Sequence, residues 1–144
     1  MITIVVPTDQ RICFIDVTAR VDEALQRCAL TDGAVLVTVP HTTAAVTINE
    51  NADPTVRSDL EMALERLVPD DLPFAHLEGN SDAHTRAMLV GGSVMVPVEA
   101  GRLVLGTWQG IFFAEFDGPR QRRLHVQPLS AGDPGLTRRR PPAG

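Results

Sequence analysis

The sequence predicts an α+β fold: a β-rich single-domain subunit with antiparallel or mixed sheets and about three helices. Short β-branched runs recur along most of the chain, while apolar residues at helical spacing are confined to a few segments. The two patterns do not alternate regularly, which argues against a doubly wound parallel sheet. Of the 144 residues, 44% are apolar, enough for one core without a disulfide scaffold, since a chain of this length buries about 68–70% of its unfolded surface.

Residues 2–6 (ITIVV) and 11–15 (RICFI) flank the turn-like segment Pro7, Thr8, Asp9 and Gln10, and read as a first hairpin. From Thr18 onward Val21, Leu25 and Cys28 fall on one helical face, which ends before Asp32 and Gly33. Residues 34–39 (AVLVTV) and 43–48 (TAAVTI) read as strands bracketing Pro40, His41 and Thr42. Asp53 before Pro54 starts a second helix, because Asp caps free amides and Pro at the first helical position gives up no needed donor. Val56, Leu60, Leu64 and Leu67 mark its buried face and Pro69 stops it. Residues 69–80 have no sustained period and form a long loop, a type of segment that often carries function. A third helix over 81–90 is followed by strands at 93–98, 102–106, 111–116 and 122–127, with hairpin connections at 99–101, 106–110 and 117–119. Residues 130–144, rich in Pro, Gly and Arg, read as a disordered tail, which leaves 1–129 as the domain.

Composition excludes several functions. All 13 basic residues are arginine, so a Schiff-base lysine and a Walker A phosphate loop are ruled out. A net charge of -5, no Tyr, five Phe and one Trp argue against a nucleic-acid partner. The first ten residues do not resemble a secretory signal, and no apolar stretch approaches the roughly 18 residues of a membrane span. Cys13 and Cys28 form no C-x-x-C pair, and the chain reads as soluble and cytoplasmic with reduced thiols.

Several residues are candidates for chemistry. His41 follows a strand, and His76 and His84 lie in or beside the long loop with Glu78 and Asp82 between them. Imidazoles with nearby carboxylates are the usual set around zinc or a similar divalent ion, magnesium being the alternative. Their spacing matches no standard zinc signature, and the plainer reading is scattered polar loop residues with ordinary hydrogen bonds. Asn49, Glu50, Asn51 and Asp53 form a polar cluster between strand and helix, in which Glu50 is either a proton carrier or metal ligand, or a solvated loop acid. Trp108 between two glycines either covers the core or forms a pocket wall, with Gln109 hydrogen-bonding the edge of a flat ring. Arg120 and Arg122 share one face of a strand and suit a phosphate clamp, although exposed arginine on a hairpin is the plainer account.

Three strings taken together resemble a known family: HTTAAVTINENADP at 41–54, HLEGNSDAH at 76–84 and GTWQGIFFAEFDGPR at 106–120, together with the helix end LERLVP. They resemble the YjbQ-like family, whose members are commonly called secondary thiamine-phosphate synthase enzymes, over about residues 2–128. The resemblance implies an α+β homotrimer with a weak transferase activity that joins hydroxymethylpyrimidine diphosphate to thiazole phosphate and releases diphosphate. It points to His41, His76 and His84 as a metal or active-site group with Glu50 and Glu78 near it. Within that frame our own assignments are Arg120 and Arg122 for the diphosphate and Trp108 for stacking the pyrimidine. Asn49 and Gln109 join the substrate-binding set, and Asp82 joins the two glutamates as a catalytic candidate. Two other classes remain: a metal-dependent hydrolase with Glu50 or Glu78 as base, and a non-catalytic module binding a metal or metabolite.

Overall fold

Two antiparallel sheets are built from strands buried on one face, such as Ile2–Pro7 and Gln121–Ser130, and from strands buried on both, such as Gln109–Glu115. The structure, a computed structural model describing residues 1–132, runs β1 (Ile2–Pro7), β2 (Cys13–Asp16), α1 (Thr18–Gln26), β3 (Gly33–Thr38), β4 (Ala44–Glu50), α2 (Pro54–Leu67), α3 (Ser81–Val90), β5 (Ser93–Glu99), β6 (Arg102–Leu103), β7 (Gln109–Glu115) and β8 (Gln121–Ser130). Five strands pair in the order β1-β8-β3-β5-β6 and three in the order β2-β7-β4. Every pairing is antiparallel, so the fold is the α+β class the patterning predicts.

The layers follow from which side chains face inward. Val6, Val35, Val37, Val96, Leu124 and Val126 of the larger sheet meet Val46, Ile111 and Phe113 of the smaller one, and Val21 and Leu25 of α1 join the same core. The opposite face of the smaller sheet presents Phe14, Ala45, Phe112 and Ala114 to Ala83 and Ala87 of α3 and to Leu60 and Leu64 of α2. β7 is therefore covered on both sides, which is why IFFAEF shows no alternation. The outer face of the larger sheet, with Val5, Met95 and Arg123, stays open in the single chain.

The helices start as the sequence predicts. Asp53 Oδ1 accepts the Thr55 N–H at 2.8 Å with Pro54 in the first turn, and Asp16 Oδ1 accepts the Thr18 N–H at 2.9 Å. None of the described helices is long and apolar enough to cross a membrane.

Three of the four hairpins expected from turn chemistry are instead crossings between sheets. Ile2 pairs with Val126 whereas Cys13 pairs with Glu115, so β1 and β2 are not neighbours. The 106–110 and 117–119 connections likewise pass from one sheet to the other, and only 99–101 joins paired strands. A turn's residues fix its local geometry but not which sheet receives the next strand; that is decided by whether the strand has one apolar face or two. The strand expected at 102–106 contracts to Arg102–Leu103. At the other end β8 runs to Ser130, which pairs with Gly33, so the folded body passes residue 129, and the expected tail from 133 on lies outside the described residues. Gly33 is needed there: at φ +146°, a Cβ would collide with the Leu129 carbonyl.

Candidate functional site

Alternation along β8 decides what its arginines do. Arg122, Leu124 and Val126 point between the sheets, while Arg123 and His125 point outward. Arg122 and Arg120 do share the parity that the sequence suggests, but for Arg122 that face is the interior. There its Nε donates to Glu115 Oε2 at 2.7 Å, and Nη2 donates to Glu115 Oε1 and, at 2.8 Å, to Thr43 Oγ1. Glu115 also accepts from Thr8 Oγ1 at 3.0 Å and from the backbone N–H of Phe116 and Asp117 at 3.0 and 2.9 Å. Burial by itself would raise the Glu115 carboxyl, but the hydrogen bond from Arg122, the Asp117 amide, the Arg122 charge and Thr8 carry it below the usual glutamate range. Arg120 is exposed and paired with Asp117 through Nη2 at 2.7 Å, and its Nε donates to the Asp117 carbonyl at 2.6 Å. Neither arginine is left with an uncommitted guanidinium fork.

The three histidines occupy one end of the molecule. That end is assembled by Phe116 donating its N–H to the Thr43 carbonyl at 3.2 Å and by Asn80 Nδ2 donating to Asp117 Oδ2 at 3.0 Å. His76 and His84 meet edge to face, ring centroids 5.6 Å apart, and His76 Nε2 lies 3.7 Å from Glu78 Oε2. His41 sits in the β3–β4 connection, where its Nε2 accepts the Arg123 backbone N–H at 2.9 Å. That bond uses the Nε2 lone pair, so the ring proton is on Nδ1. Burial first, then the Arg122 charge, with smaller contributions from Arg123 and His125, lower the His41 pKa against an opposing pull from Glu115. Among the described residues no three His, Cys, Asp or Glu side chains converge to hold a metal ion. His76 and His84 come together, and His41 stays with β8.

The carboxylates divide in the same way. Asp82 is buried, paired with Arg86 at 2.8 Å and Arg11 at 3.0 Å, while Arg86 Nη2 donates to the Val68 carbonyl at 2.7 Å. Asp82 thus holds Arg11 and Arg86, and it is Arg86 that ties α3 to the end of α2. Glu50 and Asn49 end β4 far from His41, since the six steps from Ala44 to Glu50 rise roughly 20 Å. Glu50 is opposite Gln109, whose Oε1 accepts the Gly106 N–H at 2.8 Å and closes the turn carrying Trp108. Trp108 is 65% exposed and covers no core. Beyond Asp16, which accepts from Asn51 Nδ2 at 2.8 Å, that end opens into a cleft of about 780 Å³ lined by Thr18, Asp22, Gln26 and Arg102. The set read as one site is therefore two groups at opposite ends of β4.

A family profile described as "UPF0047 protein YjbQ-like" matches residues 2–131, nearly the whole described chain. The chain belongs to the YjbQ-like UPF0047 family. It is 48% identical over 122 residues to UPF0047 protein MJ1081 of Methanocaldococcus jannaschii, covering 85% of this chain and 88% of that protein. To UPF0047 protein YugU of Bacillus subtilis it is 47% identical over 126 residues, covering 87% and 96%. Among solved structures, an uncharacterized YjbQ/UPF0047 protein from Clostridium acetobutylicum superimposes with a TM-score of 0.87 at 46% identity, covering 88% of this chain and 98% of that one. The conserved hypothetical protein TT1486 from Thermus thermophilus gives 0.83 at 44% identity, covering 90% and 100%. The three strings behind the resemblance lie on β4, on the loop leading into the start of α3, and on β7; β4 pairs with β7, and α3 packs against the face they share.

The sequence assigns no role to Glu115 or His125, and none to Arg123 beyond its place in the arginine cluster after the 117–119 turn. Glu115 did leave a signal: a lone acid inside IFFAEF has to find a buried cation, and an arginine sits seven residues on. Arg123 and His125 left only the alternation of RRLHV, which is readable once the inward face is known.

Proposed function

We propose that this chain is a thiamine-phosphate synthase-like transferase, a cytoplasmic homotrimer that joins hydroxymethylpyrimidine diphosphate to thiazole phosphate. The observation that carries the reading is the His76–His84 pair with Glu78 beside it, at the end of the molecule that also holds Arg120, Arg123 and His41. Two imidazoles and a carboxylate are donors suited to zinc, whereas magnesium prefers oxygen alone. His76 and His84 would hold the ion with Glu78 next to them; once bound, it would stabilise the charge growing on the departing diphosphate. His41 is left out of this set, because its Nε2 is engaged and the neighbouring arginines disfavour a cation. Assembly as a homotrimer would cover exposed Leu67, Phe74 and Leu77 and the open edges of both sheets.

One observation favours the non-catalytic reading: Asp82 and Arg122 are committed to buried ion pairs, and Glu50 is remote, which leaves Glu78 as the one carboxylate beside the paired imidazoles in the proposed set. Product analysis separates the possibilities. Incubation with both phosphorylated substrates and zinc should yield the coupled product. Hydrolysed phosphate alone would indicate a hydrolase, and binding without turnover a binding module. Light scattering that gave a stable 15.6 kDa monomer at micromolar concentration would remove the trimer.

A further inference from the structure

We propose that Arg123, His41 and His125 form a binding site for the phosphoryl group of a small phosphorylated molecule, on the outer face of the five-stranded sheet. This deepens the transferase reading by saying where a phosphate sits, and its test reads binding rather than product.

The arginine cluster at the start of β8 is sorted by its surroundings. Arg120 is taken by Asp117 and Arg122 by Glu115, while among the described residues the Arg123 guanidinium meets no carboxylate or carbonyl. Arg123 and His125 are two apart on β8, so both face outward, about 7 Å from one another along the strand. His41 is fixed beside them by the Arg123 backbone N–H, and that bond leaves Nδ1–H as its remaining donor. His125 Nδ1 lies 3.0 Å from Thr3 Oγ1, leaving Nε2 for a ligand.

The electrostatics suit an anion. On this face the flanking strands bring Thr3 and Val5 from β1 and Leu36 and Thr38 from β3, none of them ionisable. The one carboxylate acting on His41 is Glu115, and its oxygens are filled by Arg122, Thr8 and two amides. The positive field that disfavours a charged His41 is the field that a phosphate would neutralise. A guanidinium fork and two imidazoles supply donors for three terminal oxygens, one more than a carboxylate offers. A net charge of -5 points to a small ligand rather than a polyanion.

The test is titration of the full chain with inorganic phosphate and with diphosphate, followed by imidazole ¹⁵N resonances. Saturable shifts at His41 and His125 are expected, and Arg123→Gln should weaken binding at least about tenfold, the scale of losing a charge-assisted bidentate contact. Arg66→Gln, a charge-matched change on α2, should bind like wild type. Unchanged affinity in Arg123→Gln, shifts confined to His76 and His84, or no saturable binding of either probe would each overturn the site. Phosphate binding here without coupled product would keep the site and remove the transferase. Undiminished phosphate binding and product formation in Arg123→Gln would do the reverse.

Discussion

Replacing Arg122 with methionine should unfold this protein far more readily than any loss of a surface phosphate contact could. The change keeps most of the side-chain bulk but strands Glu115, a fully buried carboxylate, with only Thr8 and two amides as partners. Breaking a buried ion pair by removing one partner costs about 3–5 kcal/mol, a large part of the roughly 5–15 kcal/mol that stabilises an ordinary domain. Urea denaturation followed by far-UV circular dichroism is the suitable assay, since exposed Trp108 reports poorly on the core. A second arm combines Arg122→Met with Glu115→Leu. It should recover most of the loss, because apolar replacement of a whole buried pair is often neutral. The pH dependence has a definite sign. The Glu115 pKa is depressed in the folded state, so its stabilisation is fully present above the ordinary carboxylate value near 4.3 and disappears as pH falls through the lower folded value. The gap between wild type and Arg122→Met should therefore close in strong acid. A loss below about 1 kcal/mol at pH 7, or a double variant worse than both singles, would show that the pair is not the anchor described here.

Other expectations can be checked directly. Cys13 is buried and its thiol is pushed up to about 11, first by burial and then by Glu115, Asp9 and Glu61, so Ellman's reagent should label Cys28 first and reach Cys13 mainly on unfolding. Gly118→Ala sets a Cβ against the Gln10 carbonyl and 2.9 Å from Glu115 Cγ, and should destabilise by about 2 kcal/mol or more in thermal melts. Zinc retained by wild type should be lost in His84→Ala and kept in His41→Ala, and should be released in acid, because protonated imidazole has no lone pair to donate. Equal metal content in wild type and His84→Ala would exclude His84 as a ligand.

Helices were the most legible part of this chain, because Asp53-Pro54 is a local signal that a structure only has to leave undisturbed; the apolar face expected on α2 is only partly covered, with Leu60 and Leu64 packed on the core and Leu67 68% exposed. Strand partnership was not local. The segment from Pro7 to Gln10 reads as a hairpin turn, yet β1 joins a sheet that is open on one face, and β2 one that is covered on both. The site divided along the same line. His76, Glu78 and His84 are close in sequence and remain close in space. His41 and Glu50 also look close, but a strand separates residues as steadily as a helix would have gathered them, and β4 carries them to opposite ends. Arg122 was legible as an arginine on a definite face; which face was interior depended on Glu115, a residue on another strand.

The place of β8 between β1 and β3 also bears on how the chain comes into being. Ile2 finds its partner in Val126 and Gly33 finds one in Ser130, so the strand that joins the first and third is the last to be made. During synthesis the ITIVV segment emerges with its sheet neighbour absent and stays an unpaired, β-prone edge until β8 has been made. Pairing across such separations closes long loops and is intrinsically slow. A circularly permuted chain that began at β8 and led straight into β1 would turn this most distant pairing into a neighbouring one, relieving nascent exposure while keeping the strand order of the finished sheets.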